Sequence, residues 1–310
     1  MNATAPSLPA RRVLLAYAVL ILFGGGVAVA IRFTVAEMAP FWGAALRFAP
    51  AALIFWAIAF IRKSPLPRGD AVPGLILYGL LAFGLNFALG YWAMQTVEAG
   101  LAQILLALTP LFTFFLAYLH GLEAFRWRGL VGGLIATAGV AWAFFGRPSG
   151  ATSLLPMLAL IGTAACIAEG IVLLKRVPMT DPVMINAVAM TVGAASLLLL
   201  SLISGESWTV PALARTWISA VYLILFGSVV VFYLSAFVIK RWTASAASYS
   251  LVIMPFVTVA LGALLAGERL SAGVLAGGAV VLIGVWVGAM SGPARAPGHE
   301  SAAPLPSEGS

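Results

Sequence analysis

Long apolar runs follow one another along almost the whole chain, separated by short segments that hold charged residues, proline and glycine. A helix needs about 20 apolar residues to cross the hydrocarbon core of a bilayer. Reading between the breaks predicts ten membrane-spanning helices, which we number as spans one to ten, at 13–32, 41–61, 73–95, 99–119, 128–146, 154–175, 182–203, 216–239, 243–266 and 271–291. The pattern therefore predicts an all-α polytopic membrane protein.

Composition supports this class. Of the 310 residues, 62% are hydrophobic and 9% are charged, and the mean hydropathy is +1.07. A soluble domain carries about 25% charged residues. The predicted loops are short and leave no room for an extramembrane catalytic domain. We expect 1–12 to be a cytoplasmic N-terminal segment and 292–310, rich in proline, alanine, serine and glycine, to be a disordered cytoplasmic tail.

The distribution of basic residues predicts the orientation. With the N-terminus in the cytoplasm, the outer side holds Arg32, Arg147, Arg215 and Arg269, and Arg47 lies within span two. The inner side then holds twelve basic residues: Arg11, Arg12, Arg62, Lys63, Arg68, Arg126, Arg128, Lys175, Arg176, Lys240, Arg241 and Arg295. The positive-inside rule therefore predicts cytoplasmic termini in a bacterial-type inner membrane. Basic residues scattered in this way, without a recognition motif, do not indicate nucleic-acid binding.

The chain repeats itself. Shifting the sequence by 145 residues places Pro110 on Pro255, Glu123 on Glu268 and Gly139 on Gly284. The repeats, 13–146 and 154–291, hold five predicted spans each, and an odd number inverts the second copy relative to the first. Inverted repeats are a device of alternating access. Gene duplication alone also leaves repeats, but the pattern favours a transporter over a receptor or scaffold.

Polar side chains within spans are costly in lipid and should face a cavity or one another. The candidate substrate contacts are Tyr78, Asn86, Gln103, Glu169, Tyr233, Ser248 and Tyr249. Other polar residues within or at the ends of the spans are Tyr91, Gln95 and Tyr222.

Two charged residues allow more than one interpretation. Glu169 is a proton or cation site, a contact for a substrate amine, or a side chain that snorkels toward the cytoplasm beside Lys175 and Arg176. Arg47 lies about two turns inside span two, where we expect it to snorkel outward, and we favour a structural role over substrate binding.

Small and helix-breaking residues suggest close approaches. Pro110 and Pro255 are expected to interrupt spans four and nine as hinges or cavity-facing breaks. The run Gly24-Gly25-Gly26 allows a ligand or a neighbouring helix to come close. The small-xxx-small patterns of spans five and ten, such as Gly129-xxx-Gly133 and Gly284-xxx-Gly288, predict packing faces, either within a monomer or in a homodimer.

Enzyme signatures are lacking. His120 and His299 are the only histidines, and Asp70 and Asp181 are the only aspartates, which excludes zinc-protease motifs and an intramembrane aspartyl pair. Cys166 is the only cysteine, so an internal disulfide is impossible. We expect no cofactor, no metal and no catalysis. The alternative from another class, a membrane-embedded lipid-modifying enzyme, lacks a convergent polar constellation.

Several local motifs, taken together, resemble a known family. They are Gly24-Gly25-Gly26, Pro40 with Ala45-Leu46-Arg47, Thr109-Pro110, and Gly267-Glu268-Arg269-Leu270 before a glycine-rich last helix. The set resembles the EamA-type carriers of the drug/metabolite transporter superfamily over about 13–290. The first repeat departs from the pattern, because it reads Gly121-Leu122-Glu123-Ala124 where Gly-Glu-Arg is usual.

The resemblance implies ten helices in two inverted five-helix repeats around a cavity lined mainly by spans one, three, four, six, eight and nine. The aromatic-rich spans are most similar to amino-acid exporters of the YddG type. We therefore expect an inner-membrane exporter of amino acids, aromatic or otherwise apolar, or of related small metabolites, working by alternating access. The expected partners are the substrate and membrane lipid, in a monomer or a homodimer through helices five and ten. The alternative within the fold is a proton-coupled multidrug or metabolite antiporter.

Overall fold

The computed structural model of the chain describes residues 11–123, 125, 127–145, 153–179, 181–242, 244–248, 250–265 and 272–289. Within these ranges the chain forms α-helices and no strand. They are α1 (Arg11–Thr34), α2 (Pro40–Ile61), α3 (Ala71–Gly79), α4 (Asn86–Ala93), α5 (Ala99–Leu106), α6 (Thr109–Leu119), α7 (Trp127–Phe145), α8 (Leu154–Arg176), α9 (Pro182–Ile203), α10 (Ala214–Ile224), α11 (Val231–Arg241), α12 (Ala244–Ser248), α13 (Ser250–Leu265) and α14 (Ala272–Ala289). Two π-helical segments join neighbouring helices: π1 (Leu80–Leu85) and π2 (Leu225–Val230).

Helices lie in each of the ten predicted stretches, which confirms the all-helical class. Seven helical stretches of the described chain are long and apolar enough to cross a membrane: Arg11–Thr34, Pro40–Ile61, Ala71–Ala93, Ala99–Leu119, Leu154–Arg176, Pro182–Ile203 and Ala214–Arg241. The number of ten spans and the cytoplasmic termini stay predictions. The predicted N-terminal segment (up to residue 10), the tail, and the motif Gly267-Glu268-Arg269-Leu270 lie outside the described residues.

The second helices of the two repeats, α2 and α9, match closely and pack against each other. Each has 22 residues and begins with proline in its first turn, where the fixed φ of proline suits a helix start and no N–H is needed. A shift of 142 residues superimposes both their first and their last residues. The residue of α9 that corresponds to Arg47 is therefore Ala189.

The last helices of the repeats, α7 and α14, form another close pair. A Cβ atom added at Gly139 would lie 2.7 Å from the carbonyl oxygen of Gly277, and one added at Gly284 would lie 2.6 Å from that of Gly132. The backbones touch because these positions carry no side chain. Glycines of spans five and ten therefore pack closely within one chain at Gly139 and Gly284, whereas Cβ atoms at Gly129 and Gly133 of the predicted pattern would meet Phe114 and Phe115 of α6. A homodimer through these helices stays a prediction.

The π-helical segments occupy equivalent places, since π1 shifted by 145 residues becomes π2. The amide of Asn86 donates to the carbonyl of Leu81, and the amide of Val231 donates to that of Phe226. In a regular α-helix these amides would reach the carbonyls of Ala82 and Gly227. Both repeats therefore release a backbone acceptor in the middle of their third span, and π-bulges are frequent at functional sites.

The two prolines that correspond between the repeats, Pro110 and Pro255, behave differently. Pro110 stands in the first turn of α6, directly after a break between α5 and α6 at Ala107 and Leu108. Pro255 lies within α13, whose helical backbone runs on through it. The helix therefore does not end at Pro255, because loss of a single N–H donor does not end a helix whose neighbours support it. A hinge at either proline stays a prediction.

Loops from the two repeats meet at one end of the helix bundle. The carboxylate of Glu206, after α9, accepts hydrogen bonds from the amides of Phe41 (3.0 Å) and Trp42 (2.8 Å) at the start of α2. Glu37, in the turn after α1, accepts from the hydroxyl of Thr216 and from the amide of Leu213 (3.3 Å). We call this set of contacts the loop clasp. It joins the repeats by capping helix starts, where carboxylates are favourable.

Candidate functional site

A cavity of about 170 Å³ lies between the two repeats. One water needs about 10–15 Å³, so the space has room for a small organic solute. Its wall comes from spans one, three, four, six, eight and nine, as the family resemblance implied, and from Arg47 of α2. Most lining residues are apolar, and four aromatic rings are among them: Tyr78, Phe87, Tyr91 and Phe232.

Four of the candidate substrate contacts border this cavity. They are Tyr78, Asn86, Gln103 and Ser248. Tyr233 is part-buried and packs against the core without lining the cavity. Tyr249 lies outside the described residues.

The triple glycine serves mainly helix packing. Gly24 borders the cavity. A Cβ at Gly25 would lie 2.4 Å from the Cβ of Val257, and one at Gly26 would lie 2.4 Å from the Tyr222 hydroxyl. The hydroxyl of Thr258 donates to the carbonyl of Gly25 over 2.6 Å. The run therefore lets α1 lie directly against α13 and α10.

The two amides in the wall differ in how their polar atoms are used. The side-chain nitrogen of Asn86 donates to the carbonyl oxygen of Ala82 over 2.9 Å, which is the acceptor that π1 releases. The side-chain oxygen of Gln103 is buried with no hydrogen-bond partner among the described residues. A buried amide oxygen without a donor is costly, so Gln103 is an open acceptor in the wall.

Arg47 is the charged residue of the cavity lining and is only 2% exposed. Its Nε donates to the Ser228 hydroxyl over 2.8 Å, and its Nη2 donates to the Gly227 carbonyl over 2.7 Å. Gly227 is the acceptor that π2 releases. The expectation that Arg47 snorkels outward is wrong, because these two bonds across the repeats hold the guanidinium inward.

Aromatic rings surround this guanidinium. Its central carbon lies 4.9 Å from the ring centroids of Phe48 and Phe87 and 6.0 Å from that of Phe232, within the range of cation–π attraction. Arg47 Nη1 and the Tyr91 hydroxyl are buried and make no hydrogen bond in the described structure, although the two groups are close enough to interact electrostatically. Sequence reasoning named Tyr91 among the polar residues of the spans without choosing it as a substrate contact, and it favoured a structural role over substrate binding for Arg47.

Glu169 lies elsewhere. One of its carboxylate oxygens is 3.1 Å from Nε2 of His120, at the end of α6. Arg176 donates to the His120 carbonyl over 3.0 Å and stands 3.1 Å from its Nδ1. Glu169 is not among the residues that line the cavity, because α8 turns its side chain toward His120. This placement fits the interpretation that kept Glu169 near the basic end of its span.

Sequence comparison with curated proteins finds transporters. The chain is 29% identical over 260 residues to an uncharacterized inner membrane transporter, YedA, of Escherichia coli strain K12, which covers 82% of this chain and 83% of the relative. It is 26% identical over 224 residues to a probable terminal-alkyne amino-acid exporter of Streptantibioticus cattleyicolor, covering 71% and 73%.

Structure comparison agrees on the fold. A crystal structure with 19% sequence identity matches with a TM-score of 0.66 over 89% of this chain and 96% of the other. The model of the EamA-like transporter family matches twice, at residues 11–145 and 154–289. Two copies of that domain cover most of the sequence and meet around the cavity described above. The chain belongs to the EamA-like transporter family, and it is a multi-pass membrane transporter.

Proposed function

We propose that the protein exports amino acids with aromatic or other apolar side chains, or closely related metabolites, through the central cavity. The carrying observation is the cavity itself, which is small, mostly apolar, and built jointly by both repeats. Tyr78, Phe87 and Phe232 supply aromatic surface for an apolar side chain. A relative named as a probable amino-acid exporter supports the same substrate class.

The polar atoms of the wall suit the amino group of such a substrate. The unpaired oxygen of Gln103 accepts a hydrogen bond from an ammonium group, which carries three donors. Ser248, Ser250 and Thr163 add hydroxyls around the same space. Few polar groups in a largely apolar pocket is the usual composition of a small-molecule site.

Transport follows from the symmetry of the two repeats. Each repeat carries a π-helical segment in its third span, at the level of the cavity, where a helix bends more easily than in regular α-helix. Substrate binding stabilises an occluded arrangement, and the repeats then rock to open the other side. No covalent chemistry is needed, and the wall acts by contact alone.

The antiporter alternative is less well supported. Exchange of protons for cationic drugs calls for a membrane-embedded acid in the binding cavity. Among the described residues the lining holds Arg47 and no acid, and Glu169 pairs with His120 outside it. A wall with a fixed positive charge repels cations.

Transport by purified protein in liposomes tests the proposal. We expect saturable uptake of phenylalanine or leucine and none of an amphipathic quaternary ammonium cation. Ser235 borders the cavity, so Ser235→Phe should block uptake, while Ser204→Phe, at an exposed position after α9, should not. Uptake of the cation without any amino acid would favour the antiporter and contradict our proposal.

A further inference from the structure

We propose that Arg47 and Tyr91 form an anion-binding site that holds the carboxylate of the transported substrate. This inference rests on transport through the central cavity. It adds that a carboxylate is the group by which this carrier recognises its cargo.

The first argument is charge. Arg47 is buried, permanently protonated, and borders the cavity. Its described partners are a hydroxyl, a carbonyl and ring faces, all of them neutral. The described acids are engaged elsewhere, with Glu169 at His120 and Glu206 at the start of α2. A buried cation without a counter-charge is unfavourable, and an anionic ligand in the cavity supplies that charge.

The second argument is the pair of donors that lack a close acceptor. Ser228 and Gly227 hold Nε and Nη2, which fixes the plane of the guanidinium. Nη1 and the Tyr91 hydroxyl are buried and make no hydrogen bond within 3.5 Å among the described residues, although they lie near enough to each other for a weaker interaction. A guanidinium nitrogen in a fixed plane and a neighbouring phenol form a preorganised site for a carboxylate. Preorganisation of this kind reduces the cost of binding.

The third argument compares the two repeats. The carbonyl released by π1, that of Ala82, accepts from Asn86 of the same span. The carbonyl released by π2, that of Gly227, accepts from Arg47 of the other repeat. The counterpart of Arg47 in α9 is Ala189. One repeat therefore builds its π segment without a cation, so the fold does not require the arginine for that purpose.

The fourth argument identifies the anion. Among the described residues that line the cavity, Arg47 is the one basic residue. A phosphate group carries up to two charges and is usually held by several basic side chains or by backbone amides at a helix start. One guanidinium edge with one phenol matches a monoanion. The rings of Phe87 and Phe232 beside it leave an apolar surface for the rest of the molecule.

The test compares three substrates that share a phenyl ring: phenylalanine, phenylalaninamide, and 3-phenylpropionate. In liposomes the wild type should take up phenylalanine at least about tenfold faster than the amide at equal concentration, as expected when a charge-assisted hydrogen bond is lost. Arg47→Gln should remove this preference. Arg47→Lys, which keeps the charge and loses the planar fork, should retain part of it.

Two further variants separate binding from folding. Tyr91→Phe keeps the ring and removes one donor, and should raise the KM for phenylalanine while leaving amide uptake unchanged. Ser228→Ala keeps the guanidinium but removes one of the two bonds that hold its plane, and should reduce the preference for the carboxylate less than Arg47→Gln does. If Arg47→Gln does not fold, Tyr91→Phe carries the test.

The outcomes are distinct. Equal uptake of phenylalanine and its amide by the wild type, or an equal loss of both in Tyr91→Phe, overturns the carboxylate site. Uptake of 3-phenylpropionate without phenylalanine supports the carboxylate site and contradicts amino-acid export. A preference for phenylalanine over its amide that depends on Arg47 supports both.

Discussion

At the scale of single residues, three amides of the described spans allow a direct comparison. Asn86 and Gln103 border the cavity. Asn186 is fully buried and donates to the carbonyls of Pro182 (2.8 Å) and Phe232 (3.1 Å) without lining it. The chemical group is the same at all three positions, and only the access to the cavity differs.

This comparison predicts accessibility to a small polar thiol reagent. In a Cys166→Ala background, cysteine at position 86 or 103 should react, because the cavity admits the reagent and a polar cavity wall is hydrated. Cysteine at position 186 should react far more slowly and serves as the matched control. Equal rates at all three positions in the folded protein would contradict the described lining.

The cavity residues also show how much of the site could be predicted from the sequence. Charge and polarity within an apolar span single out Tyr78, Asn86, Gln103 and Ser248, which all border the cavity. Position along a helix does not give direction around it, however. The two charged residues therefore lie elsewhere than expected. Arg47, expected at the membrane surface, borders the cavity, and Glu169, considered for substrate binding, contacts His120.

At the scale of elements, the lengths of the apolar runs predicted the helices. They did not predict where a helix departs from the regular α-helical period. A π-helical turn uses an i→i+5 hydrogen bond and shifts every later side chain around the axis. In a regular α-helix Tyr222 and Tyr233, eleven residues apart, would lie on the same face. With π2 between them, Tyr222 instead donates to the Phe23 carbonyl over 2.6 Å. No residue type is diagnostic of a π-helical turn. The sequence pattern therefore predicts the helix correctly but assigns side chains beyond the turn to the wrong face.

Glycine packing gives a prediction at this scale. Gly284→Ala should destabilise the protein, because the new Cβ would lie 2.4 Å from the backbone nitrogen of Ala136 and the helices must separate. Overpacking costs about 1–3 kcal/mol. Gly133→Ala is the matched control, since among the described residues its Cβ would meet only Phe115, at 4.0 Å. Thermal unfolding in detergent compares the two variants. An equal or higher midpoint for Gly284→Ala would contradict the close contact of α7 and α14.

At the scale of the whole molecule, the repeat and its family were readable from sequence because duplicated positions recur at a fixed shift. The contacts between repeats were not, since they join residues that are distant in the chain. In the loop clasp the partners are more than 160 positions apart. The hydrogen bond from Thr216 chiefly lowers the pKa of Glu37 below its ordinary value of 4.5, although partial desolvation opposes the shift.

A lowered pKa in the folded state gives a signed pH dependence. The contribution of Glu37 to stability is present above its unfolded-state pKa and is lost as pH falls through the lower, folded-state pKa. Wild type should therefore have a higher midpoint of thermal unfolding than Glu37→Gln at pH 7, and the gap should close below about pH 4. Thr216→Ala should reduce the same gap. A gap that stays constant from pH 7 to pH 3 would show that the carboxylate charge does not stabilise the clasp.

The two repeats differ where Arg47 of α2 corresponds to Ala189 of α9, and this difference has a consequence for the recognition of substrate enantiomers. A carrier with two symmetry-related halves can bind its substrate from either side of the membrane. A basic residue on only one half, however, gives the binding cavity one positively charged end. A substrate whose carboxylate binds Arg47 then keeps the same orientation whether the cavity opens to the inside or to the outside. Discrimination between L and D enantiomers should consequently be the same for entry from either face of the membrane.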